Sequence, residues 1–323
     1  MRTDPIASDR LVVGIDISKL SYEICYSVDG QFRSKTVQAD QMDALVSELA
    51  AAAPALIVME ATGRYHQPLA RALLERGLLV SAVNPRWVHS FAKSIGQLAK
   101  TDRTDARVLA HFGRAVPPRT LTRLTEQQCL LDELMMRRRQ LVHMLAQERN
   151  RREQATRDAA TRSIARVIRT LESELREIDT DFDALIDSEP DLKRVTEILR
   201  SVSGVGDVTA RVLVTEVPEL GTLNRRQIAS LLGLAPKVDQ SGRRDGVRRI
   251  MGGRRDPRKA LYMAALSASR YNPLIRRERE RLQARSKPFK VWMVACMRKL
   301  AVLLNTLVAE DRLFDPTRHL ASS

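Results

Sequence analysis

LVVGIDISKLSYEICYSVDGQFRSKTVQ, residues 11–38, decides the fold of the first third of the chain. It holds three short runs, LVVGID (11–16), SYEICYSV (21–28) and FRSKTVQ (32–38), separated by turn residues. Each run is rich in the β-branched and aromatic residues that suit a pleated, half-buried strand. Asp29-Gly30 between the second and third has the chemistry of a two-residue hairpin turn. Outward from there, a helix is expected over roughly 40–52, then strand ALIVME (55–60) and helix QPLARALLERG (67–77), ending at Gly77. Strand LLVSAV (78–83) follows, and a further helix begins near Asn84-Pro85, with Pro85 suited to a first helical turn.

Three hairpin-linked strands followed by αβαβα is the element order of a ribonuclease-H-like (RuvC-like) α/β domain, in which the first strand lies centrally. In that order four acids fall at element ends. Asp16 closes the first strand and Glu60 the fourth, while Asp102 and Asp105, in KTDRTDA, open the last helix three residues apart and share a face. Any one of them alone reads as a helix cap or turn carboxylate. Four together, at the ends of buried strands where an unpartnered carboxylate is costly, point to a site for divalent metal ions. The domain spans 10–116, and Pro117-Pro118 ends it.

The charge says what such a site would act on. The chain of 323 residues carries a formal net charge of +15. Residues 1–110 hold 13 Lys+Arg against 12 Asp+Glu, a net of +1, so the remaining +14 lies in 111–323. Such asymmetry is the footprint of a nucleic-acid-binding half, since basic side chains displace counterions condensed on phosphates. A hydrophobic share of 44% fits a globular protein with room for two or three cores. No uninterrupted apolar run approaches the ~18 residues of a membrane span. The start, MRTDPIASDR, lacks a basic-then-apolar leader, so a cytoplasmic, nucleoid-associated location is expected. Cys25, Cys129 and Cys296 have neither zinc spacing nor a disulfide pattern and read as buried free thiols.

From about 124 to 187 the sequence is helical. Ile164, Ile168, Leu171, Leu175, Ile178, Phe182 and Leu185 form a heptad seam, and an earlier helix carries Leu130, Leu134, Leu141 and Leu145. The two could pair as a hairpin within one chain or pack between chains. A coiled-coil spacer and dimerisation arm over 117–190 is expected, with a mostly helical domain over 191–323. In that last domain, ILRSVSGVGDVTARVLVTEV (198–217) resembles a helix-hairpin-helix, whose turn at Gly204 and Gly206 would offer backbone N–H groups to a phosphate. Residues 225–259 then hold 11 Lys+Arg and three acids. Glycines break this stretch into turns interleaved with Arg243, Arg244, Arg248, Arg249, Arg254 and Arg255, a phosphate-contacting composition. Asp256 is expected to cap a helix with Pro257 at its first position. Ser241 stands in the middle of this positive field. On the residues alone, Ser-Gly in a loop is turn chemistry, and a catalytic serine would need a base, a metal or a strong local field.

GIDISK, EATGRY, the Asn84-Pro85 turn, KTDRTDARVLA, SGRRDGVRRIMGGRRDPRKALYMAAL and KPFKVWMVACMRKL, in that order between about residues 11 and 305, resemble the DEDD-type insertion-sequence transposases. The resemblance implies a RuvC-like domain, a middle coiled coil and a C-terminal transposase domain. It implies that Asp16, Glu60, Asp102 and Asp105 are an acidic quartet binding magnesium, with manganese as the alternative ion. Ser241 then matches a serine nucleophile that joins covalently to DNA. The implied partners are donor and target DNA, a bridge RNA that guides the reaction, and further copies of the chain. The serine of one subunit would complete the acidic site of another, in a dimer or a dimer of dimers. Two other readings remain open on the residues: a metal-dependent nuclease of Holliday-junction type in which only the acids act, and a non-enzymatic nucleic-acid scaffold.

Overall fold

The computed structural model describes residues 5–61, 65–97, 101–123, 125–237, 240–241, 244–245 and 249–317. The chain forms two compact units, Met1–Thr125 and Glu126–Ser323.

The first unit is a five-stranded mixed sheet with helices on both faces. Strands β1 (Val12–Ile17), β2 (Ser21–Val28) and β3 (Gln31–Gln38) form an antiparallel meander. Asp29 and Gly30 both adopt positive φ (47° and 74°), the primed hairpin turn expected of this dipeptide. Helix α1 (Met42–Ala52) leads to β4 (Leu56–Glu60), α2 (His66–Glu75) to β5 (Val80–Val83), and α3 (Pro85–Ser94) to α4 (Asp102–Ala115). The sheet order is β3-β2-β1-β4-β5, with β4 and β5 parallel to β1, so the first strand is central. Alternation sorts the strand residues. Val13, Ile15, Ile57 and Met59 pack on α1 and α2, whereas Val12, Leu56 and Val58 pack with Val88 of α3 and Leu109 and Phe112 of α4.

The second unit is helical. Helices α5 (Glu126–Gln154) and α6 (Asp158–Ser188) form an antiparallel hairpin, the pairs Arg138–Asp179 and Arg149–Glu172 running in opposite senses along the two helices. The seam on α6 faces α5, whose Leu141 and Leu145 are buried as expected, while the start of α5 differs from the expectation. Leu131 and Met135 join the core with Phe182, Ile186 and Val212, while Leu130 is left exposed. This end of α5 also packs against a later helix, which brings Val212 into the same cluster.

Then come α7 (Pro190–Arg200), α8 (Asp207–Glu216) and α9 (Arg225–Leu231). Two short ladders follow, β6 (Pro236–Lys237) with β9 (Arg249–Ile250), and β7 (Gln240–Ser241) with β8 (Arg244–Asp245). Three helices, α10 (Arg255–Tyr271), α11 (Pro273–Gln283) and α12 (Phe289–Ala309), complete the unit. By length and composition alone helix α12 could cross a membrane, although Arg298 and Lys299 interrupt its apolar run. Its Met293, Cys296, Leu300, Leu304 and Leu307 are the centre of the unit's core, packed by α7, α9, α10 and α11. A second correction concerns α10. It begins at Arg255, with Arg254 at the cap position, so Asp256 and Pro257 lie inside the first turn. A proline is tolerated there because the first helical N–H groups have no intrahelical partner.

Candidate active site

The acids of the first unit are placed by sheet register and by one helix crossing. Val12↔Leu56 through Ile15↔Met59 are paired in the parallel β1–β4 ladder, so the next positions, Asp16 and Glu60, lie side by side near the C-terminal ends of the two central strands. Strand alternation puts both on the face that carries α4, with Val12, Gly14, Leu56 and Val58. Helix α4 lies directly on that face. A Cβ at Gly14 would stand 2.1 Å from the Ala106 carbonyl oxygen and 2.4 Å from the Ala110 nitrogen, so the strand admits only glycine there. One turn further along α4, a Cβ at Gly113 would stand 2.4 Å from Val58 Cγ2. The helix therefore runs with its N-terminus toward the strand ends that carry Asp16 and Glu60. Asp105 neighbours Ala106, the residue that touches Gly14, and Asp102 is the first residue of the helix.

Local chemistry fixes that helix start. Thr101 caps it, its Oγ1 accepting from the Thr104 N–H at 3.2 Å, and Thr104 reciprocates by accepting from the Thr101 N–H at 2.9 Å. An acid in the first turn is also favoured by the positive end of the helix dipole. At the other end of α4, Arg114 donates to the carbonyls of Arg10 (2.9 Å) and Ser27 (2.6 Å), which locks the helix lengthwise over the sheet.

Asp16 Oδ1 accepts from the Ile17 N–H at 3.1 Å. Among the described residues no three His, Cys, Asp or Glu side chains stand close enough to hold a metal ion. The Asp102 side chain lies outside those residues. Carboxylate oxygens suit a hard divalent cation such as magnesium rather than a soft one. Around the site, Tyr65 and Trp87 are exposed, and Asn84 caps α3 through its side chain, accepting from the Arg86 N–H at 2.9 Å. His66 at the start of α2 is held below its ordinary pKa by burial.

In the second unit, Ser241 pairs with Arg244 in the β7–β8 ladder, which leaves Gly242 and Arg243 between them as a two-residue connection. The described residues of the basic stretch thus include two short ladders of two residues a side. The side chains of Ser241 and Arg244, and all of Gly242, Arg243 and Arg248, lie outside the described residues. Arg249 is exposed on β9, next to the β6 pairing that forms the foot of the hairpin. Below that foot the chain closes tightly. A Cβ at Gly253 would stand 2.1 Å from the Gly233 nitrogen, both glycines have positive φ, and the Arg254 N–H donates to the Leu231 carbonyl at 2.8 Å. Arg254 itself is bidentate to Glu219 (2.6 and 2.7 Å) and donates to the Glu216 carbonyl, so its guanidinium fastens the hairpin to the helices beneath. Arg255 is exposed at the start of α10.

The Gly-Val-Gly turn joins α7 and α8 as expected. Gly204 takes φ +104°, and a Cβ on it would stand 2.6 Å from the Ala268 nitrogen of α10, so packing already requires this glycine. Gly206 is exposed at the cap of α8. Sequence reasoning missed Gly14, and it missed Arg211. Buried on α8, Arg211 binds Asp179 (2.5 Å) and Asp183 (2.6 Å) of α6. For Gly14, a glycine inside an apolar strand run was the available signal of close backbone approach. For Arg211, the signal was a cation in the middle of ARVLV.

Residues 13–160 match a family model described as a transposase of the DEDD IS110 type, and residues 196–280 match one described as transposase IS116/IS110/IS902 family. Together the two cover more than half of the chain. It is 28% identical over 321 residues to a pilin gene-inverting protein of Moraxella bovis, spanning 96% of this chain and 99% of that protein. A pilin gene-inverting protein of Moraxella lacunata matches to the same extent, 28% over 321 residues. A protein of insertion element IS110 from Streptomyces coelicolor is 26% identical over 163 residues, half of this chain and 39% of that one. Fold and matches together define a DNA recombinase, an enzyme that cuts and rejoins DNA strands. The chain belongs to the IS110-type DEDD transposases, a family that uses divalent metal ions.

Proposed function

We propose that this transposase excises and integrates an insertion sequence under the guidance of a bridge RNA, with Asp16, Glu60, Asp102 and Asp105 as its metal-holding acids and Ser241 as its nucleophile. The observation that carries the reading is the side-by-side placement of Asp16 and Glu60 near the C-terminal ends of β1 and β4, on the sheet face that α4 covers with Asp105 at its N-terminal turn. The sheet order, with its first strand central, supports a RuvC-like fold for the unit. Magnesium held by the carboxylates would supply positive charge to a phosphate under attack.

The Ser241 hydroxyl, losing its proton, forms an O–P bond to the scissile phosphate while the bond from phosphorus to one deoxyribose oxygen breaks. That oxygen leaves and takes up a proton. A free hydroxyl on the partner strand then attacks the phosphoserine, restores Ser241 and forms a new phosphodiester. One P–O bond is exchanged for another at each step, so strand exchange needs no nucleotide hydrolysis. The cationic hairpin around Ser241 would offset the charge that builds on the phosphate. Acids and serine sit in different compact units, which suits a site completed between subunits of a dimer or a dimer of dimers. Sequence choice falls to base pairing with the RNA, a division of labour known in other guided systems. The reaction belongs in the cytoplasm, at the nucleoid.

Three substitutions and one treatment test this. Ser241→Ala should abolish both recombination and a trappable protein–DNA adduct, and recombination by that variant would leave a nuclease of Holliday-junction type instead. Asp16→Ala should abolish strand cleavage while the protein still binds DNA. Glu60→Gln should behave in the same way. Recombination that persists after ribonuclease treatment would refute the guide.

A further inference from the structure

The mechanism above leaves unused a groove of about 430 Å³ at the foot of the serine hairpin, between β9 and the first turns of α10 and α12. Its volume lies within the ~300–1,000 Å³ of clefts that take small organic ligands. The walls combine two features that rarely occur together. Tyr262 and Phe289 present exposed aromatic surface, 38% and 48%, over a floor of buried Met293 and Met297. The rim is cationic, formed by Arg255, Arg258, Lys259 and Lys290, and no acid lines it among the described residues. Arg258 is turned onto the Gly252 carbonyl and Lys259 pairs with Asp256 at 3.5 Å, whereas Arg255 and Lys290 make no ion pair with the described residues.

Phe289 is held in place from behind. Its ring meets that of nearly buried Trp292 edge to face, with centroids 4.9 Å apart. A fixed aromatic face, a second aromatic close by and two uncommitted cations match one ligand chemistry: a flat π-system joined to phosphates. Ile250 of β9 also lines the groove, and the chain between β6 and β9 carries Ser241. The groove therefore adjoins the strand that ends the segment carrying Ser241.

We propose that this groove receives an unstacked base of the DNA strand on which Ser241 acts, stacked against Phe289 and Tyr262, with Arg255 and Lys290 on the flanking phosphates. Drawing one nucleotide out of the stack expends unstacking energy at the exchange point. It also holds the adjacent phosphodiester away from its duplex geometry, where an attacking hydroxyl can reach it. The inference rests on the proposed function, since the strand is assigned through Ser241.

The test uses the full chain and single-stranded DNA oligonucleotides carrying one 2-aminopurine, whose fluorescence is quenched by stacking. Wild type should quench the probe, and Phe289→Ala and Tyr262→Ala should each weaken binding about 5-fold or more, the loss expected of one base–aromatic contact. Both rings are partly exposed, and unchanged melting curves confirm that the variants fold. The double variant Arg255→Ala/Lys290→Ala should lower the slope of log affinity against log salt by ~0.7 for each phosphate contact removed. An oligonucleotide abasic at the probe position should lose the difference between wild type and Phe289→Ala.

Equal affinity of wild type and both aromatic variants would overturn the proposal. So would tighter binding of an RNA of the same sequence, or a change in oligomeric state with no change in DNA binding. The two readings fail separately. If no Ser241–DNA adduct forms in wild type, the proposed function fails. If the adduct forms and Phe289→Ala binds DNA unchanged, the groove assignment alone fails.

Discussion

Gly14 on the central strand and Ala106 on α4 are packed so closely that a Cβ on Gly14 would lie 2.1 Å from the Ala106 carbonyl oxygen. This contact sets how near the N-terminal turn of α4 comes to the ends of β1 and β4, and so how near Asp105 comes to Asp16 and Glu60. A strand–helix packing contact thereby positions groups two residues beyond it on the strand and one beyond it on the helix.

Gly14→Ala should accordingly cost about 1–3 kcal/mol of stability, the usual range for overpacking a core. It should also lower DNA cleavage by more than its effect on folding accounts for, because α4 must lift from the sheet. Thermal unfolding and a cleavage assay on the same preparation measure both quantities. A variant as active and stable as its parent would mean that α4 is free to shift.

The carboxylates should link metal to stability. Magnesium at a hundredfold its dissociation constant should stabilise the wild-type chain by about 2.7 kcal/mol. Asp105→Asn should lose that increment. Melting curves with and without magnesium decide it, and an equal metal response in the variant would place the ion elsewhere.

Arg211→Ala should be among the most damaging single changes in the second unit. It removes the buried cation that Asp179 and Asp183 share, leaving them Arg138 and Arg200 as their remaining partners, and breaking a buried pair costs about 3–5 kcal/mol. Asp183 is partly exposed, which argues for the lower end of that range. Arg211→Met, which fills the space, should remain as destabilising as alanine only if the lost ion pair dominates over the cavity. Denaturant titration separates the two.

Arg249 and Arg254 should behave oppositely although both belong to the basic stretch. Arg254→Ala should lower the melting temperature, because its two hydrogen bonds to Glu219 fasten the hairpin. Arg249→Ala should leave melting unchanged and reduce the salt dependence of DNA affinity by about one unit of slope, the signature of one lost phosphate contact. Reversal of the two phenotypes would contradict the ion pair at Arg254.

His66 should make the first unit acid-sensitive. Burial lowers its pKa from the ordinary 6.5, so the unfolded chain takes up a proton before the folded chain does. Between that value and the lower folded one, the unfolded state binds more protons, and stability therefore falls as pH falls. Above about pH 6.5 the contribution is fully present. His66→Leu should flatten the melting temperature between neutral pH and the folded value. Its Nδ1 is buried without a hydrogen-bond partner among the described residues, so the substitution leaves no protein donor or acceptor unpaired.

Much of this molecule follows from its sequence because the signals are local. The strand runs, the Asp29-Gly30 turn and the Asn84-Pro85 helix start are set by neighbours a few residues away, and each lies where its local chemistry puts it. The basic charge of the later two thirds is likewise a property of composition. Tertiary structure alone decided that Gly14 meets Ala106 across some ninety residues of chain. It alone turned α5 to bury Leu131 instead of Leu130, and committed Arg254 to Glu219 while leaving Arg255 exposed. It also set Tyr262 and Phe289 across one groove from separate helices. These depend on which surfaces pack together, and burial is satisfied by the sum of contacts from several elements. No short stretch of sequence contains that sum.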